Sequence, residues 1–123
     1  MNFDQTSEFE KDLKRLGKKW HSLPMDIAAA RLGLVPLYIP QEGIDISVLR
    51  QAFFGSKRAA ILHQTEELEV VKMRLDVADL GTKDKVRLIF VAVKHENVIT
   101  FVELYAKNER NREDPKRYKP FLG

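Results

Sequence analysis

The chain reads as an α+β domain in which an N-terminal helix pair packs on a small antiparallel sheet and a short C-terminal helix closes the fold. Three observations predict this. Phe9, Leu13, Leu16 and Trp20 recur at spacings of four, three and four, the stripe of an amphipathic helix. Residues 70–77 switch to period two, with Val71, Met73, Leu75 and Val77 on one side and Lys72, Arg74 and Asp76 on the other. Two dense apolar runs, 86–93 and 98–105, are then separated only by the polar link Lys94-His95-Glu96-Asn97, as a hairpin in the centre of a sheet requires.

Residues 1–6 are an edge-strand candidate, and Ser7-Glu8-Phe9-Glu10 has the form of a capping box for the first helix. Lys11, Lys14, Arg15, Lys18 and Lys19 fill that helix's polar side, either as a solvated face or as a patch for an acidic partner. Pro24 fits the first turn of a second helix, which Gly33 and Pro36 end. Residues 34–66 combine the breakers Pro36, Pro40 and Gly43 with Ile44, Ile46, Val48, Leu49, Phe53 and Phe54. They read as an ordered insertion with one short helix over 47–53, serving either as extra core or as a surface for a partner or a second copy. Asp79 to Asp84 is turn-rich, and the following run 86–93 is apolar on both faces apart from Arg87, the mark of a central strand. Asp114-Pro115 can cap and start a last short helix through Lys116, Arg117 and Tyr118.

Composition bounds the function. With 123 residues and 44% hydrophobic content, a single ordered core over 1–123 is expected. The net charge of +3 permits nucleic-acid binding without demanding it. The absence of cysteine removes disulfides, thiolate metal sites and cysteine nucleophiles, and fits a reducing compartment. The first residues lack a signal-peptide pattern and no run approaches the roughly 20 apolar residues of a membrane span, so a soluble, cytoplasmic protein with no membrane partner is expected.

The chemistry-bearing residues are cationic. Lys72 and Arg74 leave one face of a strand about 7 Å apart, a spread that suits adjacent phosphate oxygens. Arg87, in an apolar strand, must either pair with Asp76, Asp79 or Glu103 or line a cleft, because an unpaired buried charge costs several kcal/mol. Lys107 follows the last strand, with Arg110, Arg112, Lys116, Arg117 and Lys119 behind it, and Tyr118 offers a ring to a base. The alternative for this tail is an ordinary charged surface, diluted by Glu109, Glu113 and Asp114. His21, His63 and His95 lack metal-ligand spacing, the glycines form no phosphate-cradling loop, and the pairs Glu66-Glu67 and Glu113-Asp114 read as solvated. A cationic face suffices for RNA cleavage: the 2′-oxygen already lies beside the phosphate, so alignment, charge neutralisation and two proton transfers are what a protein must add.

The residues also carry a family resemblance. Phe9-Glu10-Lys11-Asp12-Leu13-Lys14-Arg15-Leu16 resembles the first helix of the RelE/ParE toxin superfamily, and Val86-Arg87-Leu88-Ile89-Phe90 is similar to its arginine-bearing central strand. The segment from Phe101 through Lys107 and Arg110 to Glu113-Asp114 resembles the closing strand and charged tail of RelE-like members. The resemblance covers about half the chain, chiefly 7–20 and 70–122, and leaves 34–66 unexplained. It implies a small bacterial toxin that cleaves messenger RNA without a cofactor or metal, often on the ribosome, and is restrained by a cognate antitoxin protein. Within it, Lys72 and Arg87 would stabilise the phosphate, and Lys107 or Arg110 would protonate the leaving oxygen. Arg74 would complete the catalytic group, and Arg112, Lys116, Arg117 and Tyr118 would hold RNA. The sequence departs from the pattern at Arg74, where a lysine is the family's proposed base, and at Asn108, where an arginine is its proposed acid. The base is therefore unassigned. Two other readings share the fold: a ParE-like inhibitor of DNA gyrase that performs no chemistry, and a catalytically silent binding module.

Overall fold

The computed structural model describes residues 1–123. Strand β1 (Asn2–Gln5) leads into helices α1 (Ser7–Gly17) and α2 (Leu23–Leu34), a 3-10 turn (Val35–Leu37) and helix α3 (Ile46–Gly55). Strands β2 (Ala59–Gln64), β3 (Leu68–Leu75), β4 (Val86–Val93) and β5 (Val98–Ala106) follow, and two 3-10 turns (Pro115–Arg117 and Lys119–Leu122) end the chain. The sheet has five strands in the order β1-β5-β4-β3-β2. Strands β2 to β5 form an antiparallel meander, but β1 pairs with β5 in parallel, so the sheet is mixed rather than antiparallel. The reason is the route of the chain: β1 enters from the far edge and three helices intervene before the meander begins.

The helix stripe is core. Phe9, Leu16, Trp20, Leu23, Ile27 and Leu34 pack with Val71, Met73, Leu88, Phe90, Phe101 and Leu104 in a cluster of 20 buried residues on one face of the sheet. Phe101 is its aromatic centre, with the rings of Phe9 and Phe90 at centroid distances of 5.5 and 6.4 Å. Each such burial contributes about 2–3 kcal/mol relative to exposure. The opposite face carries a smaller cluster, Val70, Ile89, Val91, Val102 and Tyr105, covered by Tyr118, Phe121 and Leu122 of the tail.

Several expectations change. The N-cap of α1 is Thr6, whose hydroxyl accepts from the Phe9 amide at 3.1 Å. The Ser7–Glu10 box does not form: Ser7 Oγ donates to Glu8, and Glu10 accepts from Gln5. The helix begins one residue earlier, which places Ser7 inside the first turn. Within 34–66 the short helix expected over 47–53 forms as α3, and the segment adds a 3-10 turn and a strand. Leu37 joins the main core with Leu49, Phe53 and Phe54 packed against it, and 59–64 is the sheet's fifth strand. That strand escapes period-two reading because only Ala59 is buried and a bulge between Ile61 and His63 breaks its alternation. The last helix forms as a single 3-10 turn with Asp114 as its cap, accepting from the Lys116 amide at 3.0 Å.

Two buried ion pairs tie the periphery to the sheet. Arg50 of α3 meets Glu69 of β3 at 2.7 and 2.9 Å while lying over the rings of Tyr38 and Phe54. Burial, then the Glu69 carboxylate beside it, pushes the Tyr38 phenol far above its ordinary range. At the other edge β1 stops at Gln5, leaving backbone groups of β5 unpaired beyond it. Asp12 accepts from the Leu104 amide at 3.0 Å, Arg117 donates to the Val102 carbonyl at 2.8 Å, and the two side chains pair with each other at 3.0 Å. Strand β5 can stay buried there because this pair satisfies its edge.

Candidate functional site

Alternation along β3 sends Val71, Met73 and Leu75 into the helical core and Lys72 and Arg74 to the other face. Register then assembles a site. Arg74 stands directly opposite Arg87 of β4, and Arg87 directly opposite Tyr105 of β5. Lys107 follows the end of β5, and the α3–β2 connection adds Lys57, which adopts a left-handed backbone (φ 64°), and Arg58. Together with Ala59, Ala60, Met73 and Asn111 these residues line a cleft of about 330 Å³ that has six cationic side chains and no acidic one.

Two arginines directly opposed on adjacent strands repel unless a counter-ion intervenes. Asp84, from the β3–β4 connection, supplies it. Its carboxylate contacts Arg87 at 2.6 and 3.3 Å and Arg74 at 3.4 Å. Burial pushes the Asp84 carboxyl up, but the Arg87 hydrogen bond and the positive charges of Arg87, Arg74 and Lys107 outweigh it, and its pKa falls below the usual carboxylate value. The connection is itself pinned: Asp79 Oδ2 accepts from the Ser22 amide at 2.9 Å, the Asp79 amide donates to Ser22 Oγ at 3.1 Å, and Asp26 accepts from the Ala78 amide. Arg87 is 8% exposed and spends three donor contacts on Asp84 and the Val86 carbonyl. A guanidinium has five N–H groups, so two remain for a ligand. Both expectations for Arg87 therefore hold at once, ion pair and cleft wall, but its partner is Asp84. Of the three acids expected for that role, Asp76 pairs with Arg58, Asp79 with Ser22 and Glu103 with Arg110.

The tail divides. Lys107 is exposed at the cleft, and residues 107–115 line a shallow, wide-open polar hollow of about 740 Å³ beside it, sharing Lys107 and Asn111. Arg110 stacks over the Tyr105 ring at 5.2 Å and lies 2.6 Å from Glu103, whose carboxyl is raised by burial despite that cation. Arg112 lines the hollow, and Lys116 is exposed on the following turn. Arg117 and Tyr118 turn inward, the first to Asp12 and the second against the smaller core. Glu113, read as solvated, is 9% exposed and hydrogen-bonded to Lys72 Nζ at 2.8 Å. Burial raises its carboxyl, but the Lys72 hydrogen bond and the charges of Lys72 and Arg112 win, leaving the pKa lowered. Sequence reasoning missed Lys57, Arg58, Asp84, Tyr105 and Glu113. Only Tyr105 had a readable signal, since it stands at the end of an apolar strand next to Lys107.

The architecture is a RelE-like fold. A search of solved structures matches the chain to the archaeal RelE–RelB complex from Pyrococcus horikoshii, with a TM-score of 0.54 and 18% identity over 86% of this chain and 93% of that one. A second match is the solution structure of the conserved hypothetical protein HP0892 from Helicobacter pylori, with a TM-score of 0.41 and 16% identity over 89% of this chain and 97% of that one. No protein-family model and no curated protein matches the sequence. No helix is long and apolar enough to cross a membrane.

Proposed function

We propose that the chain is the toxin of a toxin–antitoxin pair and acts as a metal-independent endoribonuclease on messenger RNA. The observation that carries this reading is the convergence of Lys72, Arg74, Arg87 and Lys107, with Lys57 and Arg58, on one cleft that has no acidic lining. Such a cleft attracts a phosphate backbone and suits a phosphorane, whose added negative charge is what fixed cations stabilise best. Arg87 and Lys72 bind the non-bridging oxygens, and Lys107 or Arg110 delivers a proton to the leaving 5′-oxygen. Arg74 is the outer cation, sharing Asp84 with Arg87. Arg112 and Lys116 extend the track along the tail, whereas the inward placement of Arg117 and Tyr118 favours a supporting role for that pair. The resemblance of the fold to a RelE chain solved with RelB supports a cognate antitoxin as the protein partner.

The test is a map of RNA 5′ ends in bacterial cells minutes after brief induction, comparing the wild-type chain with Arg87→Ala. New ends within coding regions that vanish in the variant are expected. Arrested growth with intact RNA would sink the nuclease reading and transfer the target to gyrase or another protein.

A further inference from the structure

Attack by a ribose 2′-oxygen needs an acceptor for the 2′-hydroxyl proton, and this inference rests on the ribonuclease reading above. The cations of the cleft are poor acceptors: arginine stays protonated to about pH 12, and Lys72 already donates to Glu113. None of the three histidines lines the cleft or the adjoining hollow. Tyr105 is kept protonated, since burial raises its phenol. Three carboxylates touch the cleft's cations, and one of them, Asp76 on Arg58, is 84% exposed to solvent. Asp84 is engaged by both Arg87 and Arg74. Glu113 is held by Lys72 through one oxygen only.

We propose that Glu113 is the catalytic general base, with Lys72 joining it to the phosphate. An ammonium has three N–H donors in tetrahedral directions. One meets Glu113 Oε1 at 2.8 Å. A second, directed to a non-bridging phosphate oxygen, sets that oxygen about 4.5 Å from the carboxylate, within reach of the 2′-hydroxyl attached one carbon from the bridging 3′-oxygen. The step balances. The O2′–H bond breaks and its proton passes to Glu113; the O2′–P bond forms and the P–O5′ bond breaks. The departing O5′ takes a proton from the cationic acid, leaving a 2′,3′-cyclic phosphate and a 5′-hydroxyl end, and solvent restores both protein groups.

The position of Glu113 explains an otherwise costly arrangement. A carboxylate buried at a cationic cleft weakens the site's hold on an anion, a cost that a role in the reaction offsets. The titratable groups facing it are Lys72 from β3, the neutral phenol of Tyr105 from β5 and Arg112 from its own loop, and the two cations among them keep it ionised and able to accept a proton at neutral pH.

The test follows single-turnover cleavage of messenger RNA on programmed ribosomes by wild type, Glu113→Gln and Glu113→Asp. Binding is read in parallel with an oligonucleotide carrying 2′-deoxyribose at the cleavage site. Glu113→Gln should slow cleavage about 100-fold or more, abolish the acid limb of the pH–rate profile, and bind the uncleavable oligonucleotide no more weakly than wild type. Glu113→Asp, which withdraws the carboxylate by one methylene, should be about tenfold or more slower with its acid limb retained, and it decides the matter if the glutamine variant fails to fold. A folded Glu113→Gln or Glu113→Asp protein that cleaves at the wild-type rate overturns the assignment alone, leaving Glu113 as a counter-ion. A wild-type chain that binds the oligonucleotide but yields no cyclic phosphate overturns both this assignment and the nuclease reading.

Discussion

On the helical face of the sheet, every residue that β3, β4 and β5 turn inward is apolar except Glu69, and that one is neutralised by Arg50. On the opposite face the same strands are apolar at one end of the sheet, at Val70, Ile89, Val91 and Val102, and cationic at the other, at Lys72, Arg74 and Arg87. The difference teaches where this small fold keeps its stability and where it can hold uncompensated charge. The helices cover the first face completely, whereas the tail covers only part of the second. The part left open is where positive charge can remain in contact with water and with a ligand.

The comparison can be broken at its strongest point first. Phe90→Ala, in the helical face, should cost about 3–5 kcal/mol in urea denaturation, and a loss below about 1 kcal/mol would mean that this face is not the main core. Arg117→Ala should cost about 3 kcal/mol, because it leaves the buried Asp12 carboxylate without its guanidinium and the Val102 carbonyl without its side-chain donor at the edge of β5. Its cleavage should fall only as far as its folded fraction; full stability with lost RNA binding would move Arg117 into the interface. Arg87→Ala is expected to behave oppositely, costing less stability than Arg117→Ala, because Asp84 is 38% exposed and keeps Arg74, but 100-fold or more in cleavage. A variant that unfolds instead would make Arg87 structural.

The smallest effect sharpens the boundary between the faces. The Glu113 pKa is depressed in the folded protein, so its pairing with Lys72 stabilises the fold fully above the ordinary carboxylate value of 4.5, and the stabilisation is lost as pH falls through the lowered folded value. Lys72→Ala should flatten that acid limb in urea melts taken from about pH 7 down to pH 3, and should also lower cleavage by removing a phosphate contact. An unchanged acid limb would show that Lys72 does not hold Glu113 in solution, and unchanged cleavage would remove the lysine from the site.

How far the site was legible follows from which information is local. Lys72 and Arg74 share a face because side chains alternate along one strand, and Arg87 is conspicuous because its neighbours are apolar; both facts are contained in short windows of sequence. Asp84 lies three residues before Arg87, yet reads as one turn residue among several, since only the folded connection brings it between two arginines. Lys57 and Arg58 reach the cleft only because β2 pairs with β3, a strand that its own pattern conceals. Glu113 looks solvated beside Asp114, and its burial depends on Lys72, 41 residues earlier in the chain.

By itself, then, the sequence determined α1 and β3, whose apolar residues repeat with one period that fixes the face each presents, and the β4–β5 hairpin, whose dense apolar runs mark the centre of the sheet. It also determined that the chain's chemistry is cationic. Only the tertiary structure decided which cations share a cleft, which of them are spent on carboxylates, and that the first strand runs parallel to the last. Periodicity is a property of neighbours along the chain, while strand register and ion pairing join residues tens of positions apart, where charge and hydrophobic pattern allow many partners and packing selects one.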